Sequence, residues 1–480
     1  MPKRILGGIL LALLTGCVTV GPDYQRPAVD TPAIWRFEAK EAQDLADMDW
    51  WEQFKDPALN RLMRTALNEN KDLLIAAARI EEFFGRYFAT RGDQFPAAGG
   101  SADAFRQRVS DKGLTRIDGK DNPYPQYETL LNAGWEIDFW GKYRRATEAA
   151  RAELLGTEEA RRTVALTLVS AVATAYVDIR ALDKQLVITQ RTAASRKETL
   201  ELFGMRFQRG IISEVDLSQA KSEYEDALAR IPEIERAIGQ TEHALSVLLG
   251  RTPGGIPRGV SLDELAMPAV PAGLPSDLLE RRPDIRQAEQ LLIAANARIG
   301  VAKSLYFPSI SLTGAFGTVS TDLSNLFTSA SRTWNYGVPV SVPLFTAGRI
   351  GGEVKAAEAA QQQAVLNYQQ AVLIALREVD DALLDRSKSG ERLAALGRQL
   401  RALQNYARLA RLRYDEGYTS YLEVLDADRS LFNVELSYAN GQNALFRALI
   451  NIYKSMGGGW VDAAAASAPV QPVKQAGFFP

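Results

Sequence analysis

The stretch LERRPDIRQAEQLLIAANARIGVAKSLYFP, Leu279 to Pro308, repeats an earlier part of the same chain. It aligns without gaps with LNENKDLLIAAARIEEFFGRYFATRGDQFP, Leu67 to Pro96, at an offset of 212 residues. Further along, the offset becomes 207 and does not change again. An unchanged offset over so long a stretch indicates an internal duplication. The pairs related by it include Gly141–Gly348, Arg206–Arg413, Gly210–Gly417, Ala220–Ala427 and Gly250–Gly457.

The duplication predicts the domain boundaries. Each repeat has the pattern of a helix, a β-hairpin and then long helices, and a Pro- and Gly-rich segment between the repeats is typical of a linker. The predicted divisions are a signal peptide (1–16), a lipidated N-terminal extension (17–57), repeat 1 (58–250), the linker (251–275), repeat 2 (276–457) and a C-terminal tail (458–480).

The N-terminus has the features of a secretory signal. Two cations, Lys3 and Arg4, precede an apolar run from Ile5 to Leu14 that is too short to span a bilayer. The run ends in small residues directly before Cys17, the only cysteine of the chain. This arrangement is typical of a bacterial lipoprotein signal, in which the thiol is diacylated and becomes the new N-terminus. We therefore expect a covalent lipid on Cys17.

The composition argues against several functional classes. With Cys17 lipidated and His243 the single histidine, the mature chain has no residues for a zinc cluster, a Cys/His dyad or an HExxH site. No glycine-rich phosphate-binding motif is present. The 56 basic and 58 acidic residues give a net charge of −2, without the basic excess of a nucleic-acid binder. We expect no enzyme activity, no metal site, and no cofactor apart from the lipid.

Long stretches without proline predict long helices. The segment from Arg144 to Phe203 would form a helix of about 90 Å at ~1.5 Å per residue. A helix of that length has no globular core to surround and is expected to pack as a coiled coil. Pro232 is expected to kink or break the helix that contains it.

Three segments instead alternate with a period of two. YETLLNAGWEIDFW (127–140), SISLTGAFGT (309–318) and WNYGVPVSVPL (334–344) place apolar residues on one face and small or polar residues on the other. Strands of this kind fit a transmembrane β-barrel around a water-filled lumen, or a soluble sheet that packs one face on a hydrophobic core. In the barrel alternative, Trp135, Trp334 and Tyr336 are the candidates for the lipid-facing surface.

The number of strands bears on assembly. Two repeats give about four strands, whereas a closed barrel needs ~8 or more and an open sheet edge cannot stand in lipid. The predicted fold class is therefore an α+β membrane protein with two internal repeats. Its β-barrel is shared by copies of the chain and continues as a tube of long helices.

Motifs spread over the whole chain resemble the TolC/OprM family of outer-membrane factors, in particular its lipoprotein, drug-efflux branch. The resemblance implies a homotrimer with a twelve-stranded barrel in the bacterial outer membrane and a helical tunnel through the periplasm. It also implies docking to a periplasmic adaptor and, through it, to an inner-membrane transporter of the resistance-nodulation-division type. The motifs are GPDYQRP (21–27), WWEQFKDPALNRL (50–62), AGLPSDLLERRPDI (272–285), YFPSISLTG (306–314), PLFTAGR (343–349), YLEVLDADRSLF (421–432) and YKSMGGGW (453–460).

Alternative functions remain within and outside this family. A type I protein secretion outlet or a heavy-metal efflux outlet would share the fold. The lipid on Cys17 and the OprM-like motifs count against the secretion outlet, and the six methionines and one histidine give no support to metal export. A structural envelope lipoprotein would have a soluble sheet instead.

The resemblance also implies a gate. Gly417 and its counterpart Gly210 lie between long helical runs and mark the tips of the predicted tunnel. The motif match assigns gate positions to Leu422 and Asp426, which are four residues apart and would share a helix face. Glu423 aligns with an acidic gate position of TolC, and Asp216 is its partner in repeat 1. Where TolC has an arginine that links neighbouring helices, this chain has Thr419, so closure would depend on other bonds.

Overall fold

A computed structural model describes residues 19–29, 31–36, 49–110, 112, 122–270 and 275–457. Cys17 and the C-terminal tail (458–480) lie outside these residues. The chain divides into two compact units, and each contains segments of both repeats. The first unit comprises residues 1–28, 79–157 and 288–368, and the second comprises 29–78, 158–287 and 369–480.

The helices of the two repeats begin and end at matching residues. Helices α2 and α5 are related by the offset of 212 at both ends, and α3 and α6, like α4 and α7, by the offset of 207. This agreement confirms the internal duplication. The bounds are α1 Pro57–Glu69, α2 Lys71–Gly92, α3 Lys142–Gln208, α4 Glu214–Leu248, α5 Pro283–Ser304, α6 Arg349–Asp415 and α7 Tyr421–Ser455.

The strands form one antiparallel sheet in the first unit. The bounds are β1 Ala97–Gln107, β2 Tyr124–Glu136, β3 Ser309–Ser320, β4 Arg332–Gly337 and β5 Val340–Ser341. The order is β1-β2-β3-β4, and β5 pairs with β3 beyond the end of β4. The prediction of about four strands is therefore confirmed, with one hairpin from each repeat and a β2–β3 pair between them.

The ends of two strands differ from the alternating sequence pattern. The pattern of β2 continues to Phe139, but the strand ends at Glu136 because a turn follows, in which the Phe139 N–H donates to the Ile137 carbonyl (2.9 Å). β4 ends before Pro339, which has no N–H to give to the ladder, although its carbonyl still accepts from the Ser311 N–H (3.1 Å). Local backbone chemistry shortens these strands without changing their register.

The long-helix prediction is confirmed, since α3 contains the whole of 144–203. Among the described residues, α3 alone is long and apolar enough to cross a membrane by composition, but 67% of its apolar window is buried inside the protein. Burial of this kind is typical of a core helix.

Of the kink or break predicted at Pro232, the break is wrong, because α4 continues through it to Leu248; the kink stays a prediction. A proline removes one N–H from the helical ladder. Pro232 lies on the exposed side of α4, where water can satisfy the carbonyl left without a donor.

A buried carboxylate organises the core of the second unit. Asp56 is fully buried and caps α1 by accepting from the Ala58 N–H (2.7 Å). Its other oxygen accepts from the Tyr176 hydroxyl (2.6 Å) and from the Val260 N–H (3.2 Å). The Tyr176 hydroxyl in turn accepts from the Gly259 N–H (2.9 Å). This network joins α1, α3 and the segment after α4.

Replacing Tyr176 with phenylalanine tests this network. The substitution keeps the buried ring but leaves Asp56 and the Gly259 N–H each with one partner fewer. We expect a loss of about 1–3 kcal/mol in stability, measured as a lower midpoint of thermal unfolding in detergent. Tyr418→Phe is the matched control, because Tyr418 is 76% exposed. Equal midpoints for the two variants would contradict this role.

Candidate functional site at the helix tips

Two tight turns close the long helices of the second unit. Gly210 lies between α3 and α4, and Gly417 lies between α6 and α7, with φ angles of 69° and 80°. These values lie in the left-handed region, which glycine adopts without strain. In each turn two N–H groups donate hydrogen bonds to carbonyls of the preceding helix. One example is the bond from the Tyr418 N–H to the Arg413 carbonyl (2.8 Å). The two predicted tips are therefore helix–turn–helix connections with the same backbone conformation and hydrogen-bond pattern.

The helix that follows each turn begins differently in the two repeats. At the start of α4, Ser213 and Asp216 form a reciprocal capping box, in which the Asp216 carboxylate accepts from the Ser213 hydroxyl (2.7 Å) and N–H (3.2 Å). The equivalent residues of α7 are Ser420 and Glu423, but Ser420 makes no side-chain cap bond. Asp216 therefore has a helix-capping role that Glu423 does not share.

Glu423 is instead held by the turn itself and by the preceding helix. Arg413, on the last turn of α6, donates to the Glu423 carboxylate (3.1 Å), and the Thr419 hydroxyl donates to its other oxygen. The arginine equivalent to Arg413 in repeat 1, Arg206, donates to the Tyr414 hydroxyl (2.9 Å). Thr419 thus takes part in an ion-pair cluster within the chain.

Leu422 and Asp426 lie on the exposed side of the first turns of α7. Leu422 is 61% exposed, and Asp426 is also exposed, with its carboxylate 3.4 Å from the Tyr406 hydroxyl. The opposite side of α7 packs on α6 through small residues. That buried cluster consists of Ala407, Ala410, Val424 and Ala427. Packing on one side of α7 therefore fixes which side presents Leu422 and Asp426.

A buried acid that sequence reasoning missed lies further along the same helices. Glu223 of α4 is 6% exposed and contacts two guanidinium groups. One belongs to Arg196 of α3 (2.8 Å) and the other to Arg429 of α7, whose Nε lies 2.9 Å away. The counterpart of Glu223 in repeat 2 is Ser430, so the duplication gave no signal for this junction.

Burial also affects a neighbouring acid on α7. Burial raises the pKa of Asp428, and the nearby Arg411 and Arg196 partly oppose that rise. Burial of Tyr421 itself, together with the negative charge of nearby Asp428, raises the pKa of the Tyr421 hydroxyl to about 12. The ring of Tyr421 packs on Phe203 of α3 (4.4 Å between centroids). The first turn of α7 thus contacts α3 through an aromatic pair.

The sheet places all three predicted aromatic residues on one face. Trp135 is paired with Leu312, and Trp334 with Phe316, so these residues share a face with Tyr336. The rings of Trp334 and Tyr336 stack (5.7 Å) and are 66% and 81% exposed. Trp135 is half-buried and donates from its indole to the Gln94 carbonyl (2.9 Å). A lipid-facing orientation for this face stays a prediction.

The unequal helix starts can be tested by paired substitutions. Asp216→Ala removes a capping box and should destabilise the start of α4 by about 1 kcal/mol. We expect amide hydrogen exchange of the first turn of α4 to become about fivefold faster. Glu423→Ala removes no cap, so the first turn of α7 should change much less. Equal acceleration at the two sites would show that the contacts of Glu423 with Arg413 and Thr419 stabilise the start of α7 as strongly as the capping box stabilises α4.

Comparison with known proteins supports one family. Residues 62–251 and 274–458 match the family described as outer membrane efflux protein. The chain is 38% identical over 472 residues to the solvent efflux pump outer membrane protein SrpC of Pseudomonas putida, covering 96% of this chain and 99% of that protein. It is 36% identical over 470 residues to the cation efflux system protein CusC of Escherichia coli, covering 96% of this chain and 99% of that protein.

A solved structure shows the same fold. The open state of the MtrE outer membrane channel of Neisseria gonorrhoeae matches with a TM-score of 0.82 at 30% identity, over 92% of this chain and 98% of that one. These findings confirm the predicted outer-membrane location and the predicted role in efflux. On its sequence, its duplicated fold and these relatives, the chain belongs to the outer membrane efflux protein family.

Proposed function

We propose that this protein is the outer-membrane channel of a tripartite pump that exports drugs or other small toxic compounds. It would act as a homotrimer with a periplasmic adaptor and an inner-membrane transporter of the resistance-nodulation-division type. The substrate class is supported by the relative named as a solvent efflux pump protein. No chemical step is required of the chain, which would supply a path and a gate.

The gate is proposed at the start of α7. The observation that carries this proposal is the exposure of Leu422 and Asp426 outside the buried cluster through which α7 packs on α6. In a trimer each position becomes a ring of three side chains around the axis. Leu422 would then form an apolar plug and Asp426 a like-charged ring. Because converging carboxylates repel one another, a bound cation or partial protonation should favour the closed state.

Glu423 and Asp216 would support the gate in different ways. Glu423, held by Arg413 and Thr419, would fix the start of α7 to the end of α6. Asp216 would stabilise the equivalent corner of repeat 1 as a helix cap. Neither side chain needs to reach the axis for these roles.

The double variant Leu422→Ala with Asp426→Ala tests the gate. Loss of the plug and of the charged ring should raise single-channel conductance in planar bilayers several-fold. It should also admit a large antibiotic that the wild-type channel excludes from the cell. Leu373→Ala with Asp381→Ala is the matched control, since both residues are exposed on α6 away from the tip. Wild-type behaviour of the gate variant in both assays would place the constriction elsewhere.

A second candidate function is export of metal cations. It is favoured by the similarity to CusC, a protein named for cation efflux. Metal ions would then be cargo, and no resident metal is proposed. Expression beside each type of pump separates the candidates, with resistance to an organic solvent and resistance to copper or silver salts as the two measurements. A protein substrate is disfavoured by the predicted lipid on Cys17.

The lipid anchor is tested by changing Cys17 to serine. The variant should lose radiolabelled palmitate incorporation, because the acylated thiol is absent. Membrane association should persist in part, since the barrel provides a second attachment and acyl chains contribute ~0.8 kcal/mol per buried CH₂. Undiminished labelling of the variant would exclude Cys17 as the acylation site. Wild-type protein that incorporates no palmitate would exclude lipidation altogether.

A further inference from the structure

The charged side chains of strands β1 to β4 are separated by sign between the two faces of the sheet. Residues paired across an antiparallel ladder lie on the same face, so the register assigns each side chain to a face. The face that carries the three predicted aromatic residues, termed the aromatic face, has only basic charges, on Arg106 and Arg332. The opposite face has only acidic charges, on Asp103, Glu128 and Glu136. The aromatic face therefore attracts anions, whereas the other face repels them.

Both arginines lie at the strand ends that point away from the helices. Arg332 is the first residue of β4, and Arg106 is the penultimate residue of β1. The helices join the sheet at its other end, because α2 ends at Gly92, shortly before β1, and α3 begins at Lys142, shortly after β2. Since the helices continue into the periplasm, the arginines lie at the outer surface of the membrane.

The aromatic face has the dimensions of a membrane-facing band. Along β2, Trp135 and Tyr127 are eight residues apart on this face, which is about 27 Å along the strand and about 21 Å along the membrane normal at a tilt of ~40°. Membrane barrels have an apolar band about 25 Å tall between two girdles of aromatic residues. Leu131, midway between the two rings, is 65% exposed. Arg106 pairs with Pro125, beyond Tyr127, and so lies at the level of the lipid headgroups.

Neither arginine is neutralised within the described part of the chain. Both side chains are exposed, and neither lies within ion-pair distance of a carboxylate among the described residues. Because the strands place no acid on the aromatic face, the counter-charge must come from outside the sheet. A guanidinium is suited to bind phosphate, since its planar fork donates two parallel hydrogen bonds to phosphate oxygens.

We propose that Arg106 and Arg332 bind the phosphate groups of a phosphorylated glycolipid in the outer leaflet of the membrane. In the register, Arg332 is in line with Thr318, Thr129 and Ala102, four residues from Arg106 along β1. The Cα atoms of the two arginines are then about 20 Å apart, from ~4.8 Å per strand and ~3.4 Å per residue. One phosphate cannot bridge this distance, so each arginine binds its own.

The side chains between the two arginines favour a sugar-containing lipid. Thr129 of β2 lies directly opposite Thr318 of β3, and Tyr127 follows Thr129 on the same face. Each hydroxyl can both donate and accept a hydrogen bond, as sugar hydroxyls do. A glycolipid whose sugars carry phosphates matches the arginines and the hydroxyls together, whereas a glycerol phospholipid offers fewer hydroxyls. The proposal rests on the predicted lipid-facing orientation of the aromatic face.

Lipid binding by the full-length protein in detergent tests the site. Titration with diphosphoryl lipid A, followed by native mass spectrometry, gives the dissociation constant. Arg106→Gln and Arg332→Gln should each weaken binding about fivefold, as expected for one basic residue at an anionic lipid surface. The double variant should lose about 25-fold, because sites this far apart act independently. Arg398→Gln with Arg401→Gln is the matched control, since it removes two exposed arginines from the part of α6 in the second unit and should bind as the wild type does.

Two further lipids test the ligand class. Lipid A without its phosphates should bind the wild type at least tenfold more weakly, and phosphatidylglycerol severalfold more weakly. Equal binding of the dephosphorylated lipid, or equal affinity of the wild type and the double variant, would overturn the site. A preference for phosphatidylglycerol would overturn the choice of a glycolipid. Arg106→Lys with Arg332→Lys keeps both charges and should bind at least fivefold more tightly than the glutamine pair, which separates loss of charge from loss of folding.

The orientation of the aromatic face is measured separately. Trp334 lies two residues from Arg332 on this face and is 66% exposed. In vesicles, bromine-labelled lipid should quench the part of the fluorescence that Trp334→Phe removes. Absence of quenching would show that this face does not meet lipid, and the site would fall with that prediction. Neither readout depends on conductance or drug export, so failure of the proposed gate or pump would be seen apart from failure of the lipid site.

Discussion

The constraint on which this structure depends is that every backbone N–H and C=O in a bilayer must have a hydrogen-bond partner. A four-stranded sheet cannot meet it alone, because its two outer strands each present an open edge. Duplication offers a way to satisfy these edges. Each repeat supplies one β-hairpin, and the second strand of one hairpin can pair with the first strand of the next. The described part of the chain contains one such junction, between β2 and β3.

Much of this could be predicted from the sequence, because the relevant signals are periodic or repeated. Prolines are absent from α3, α6 and α7, and matching glycines mark the two turns, so the helix bounds follow the offsets residue by residue. Strands β2 and β3 alternate clearly. β1 was not singled out, because its residues AAGGSADAFRQ are mostly small and give a weak alternating pattern.

The candidate site was less predictable, because its contacts depend on which side chains meet across helices. The pair Ser213–Asp216 and the pair Ser420–Glu423 look alike in sequence, yet only the first forms a capping box. The difference arises from Thr419 and Arg413, which compete for Glu423 from the turn and from the adjacent helix. Glu223 gave no signal either, since an acid in a polar helix is usually solvated.

Two ion-pair clusters of the second unit, one at Glu423 and one at Glu223, differ in their access to solvent, and so they should respond differently to ionic strength. Mobile ions screen exposed charges over a Debye length of about 8 Å in physiological salt, and buried pairs much less. The side chains of Arg413 and Glu423 are 57% and 26% exposed, whereas those of Arg196 and Glu223 are 10% and 7% exposed. Salt therefore weakens the Arg413–Glu423 pair at the tip of α7, while the Arg196–Glu223 pair between α3 and α4 persists. The ionic strength of the surrounding compartment thereby acts more strongly on the turn between α6 and α7 than on the α3–α4 pair.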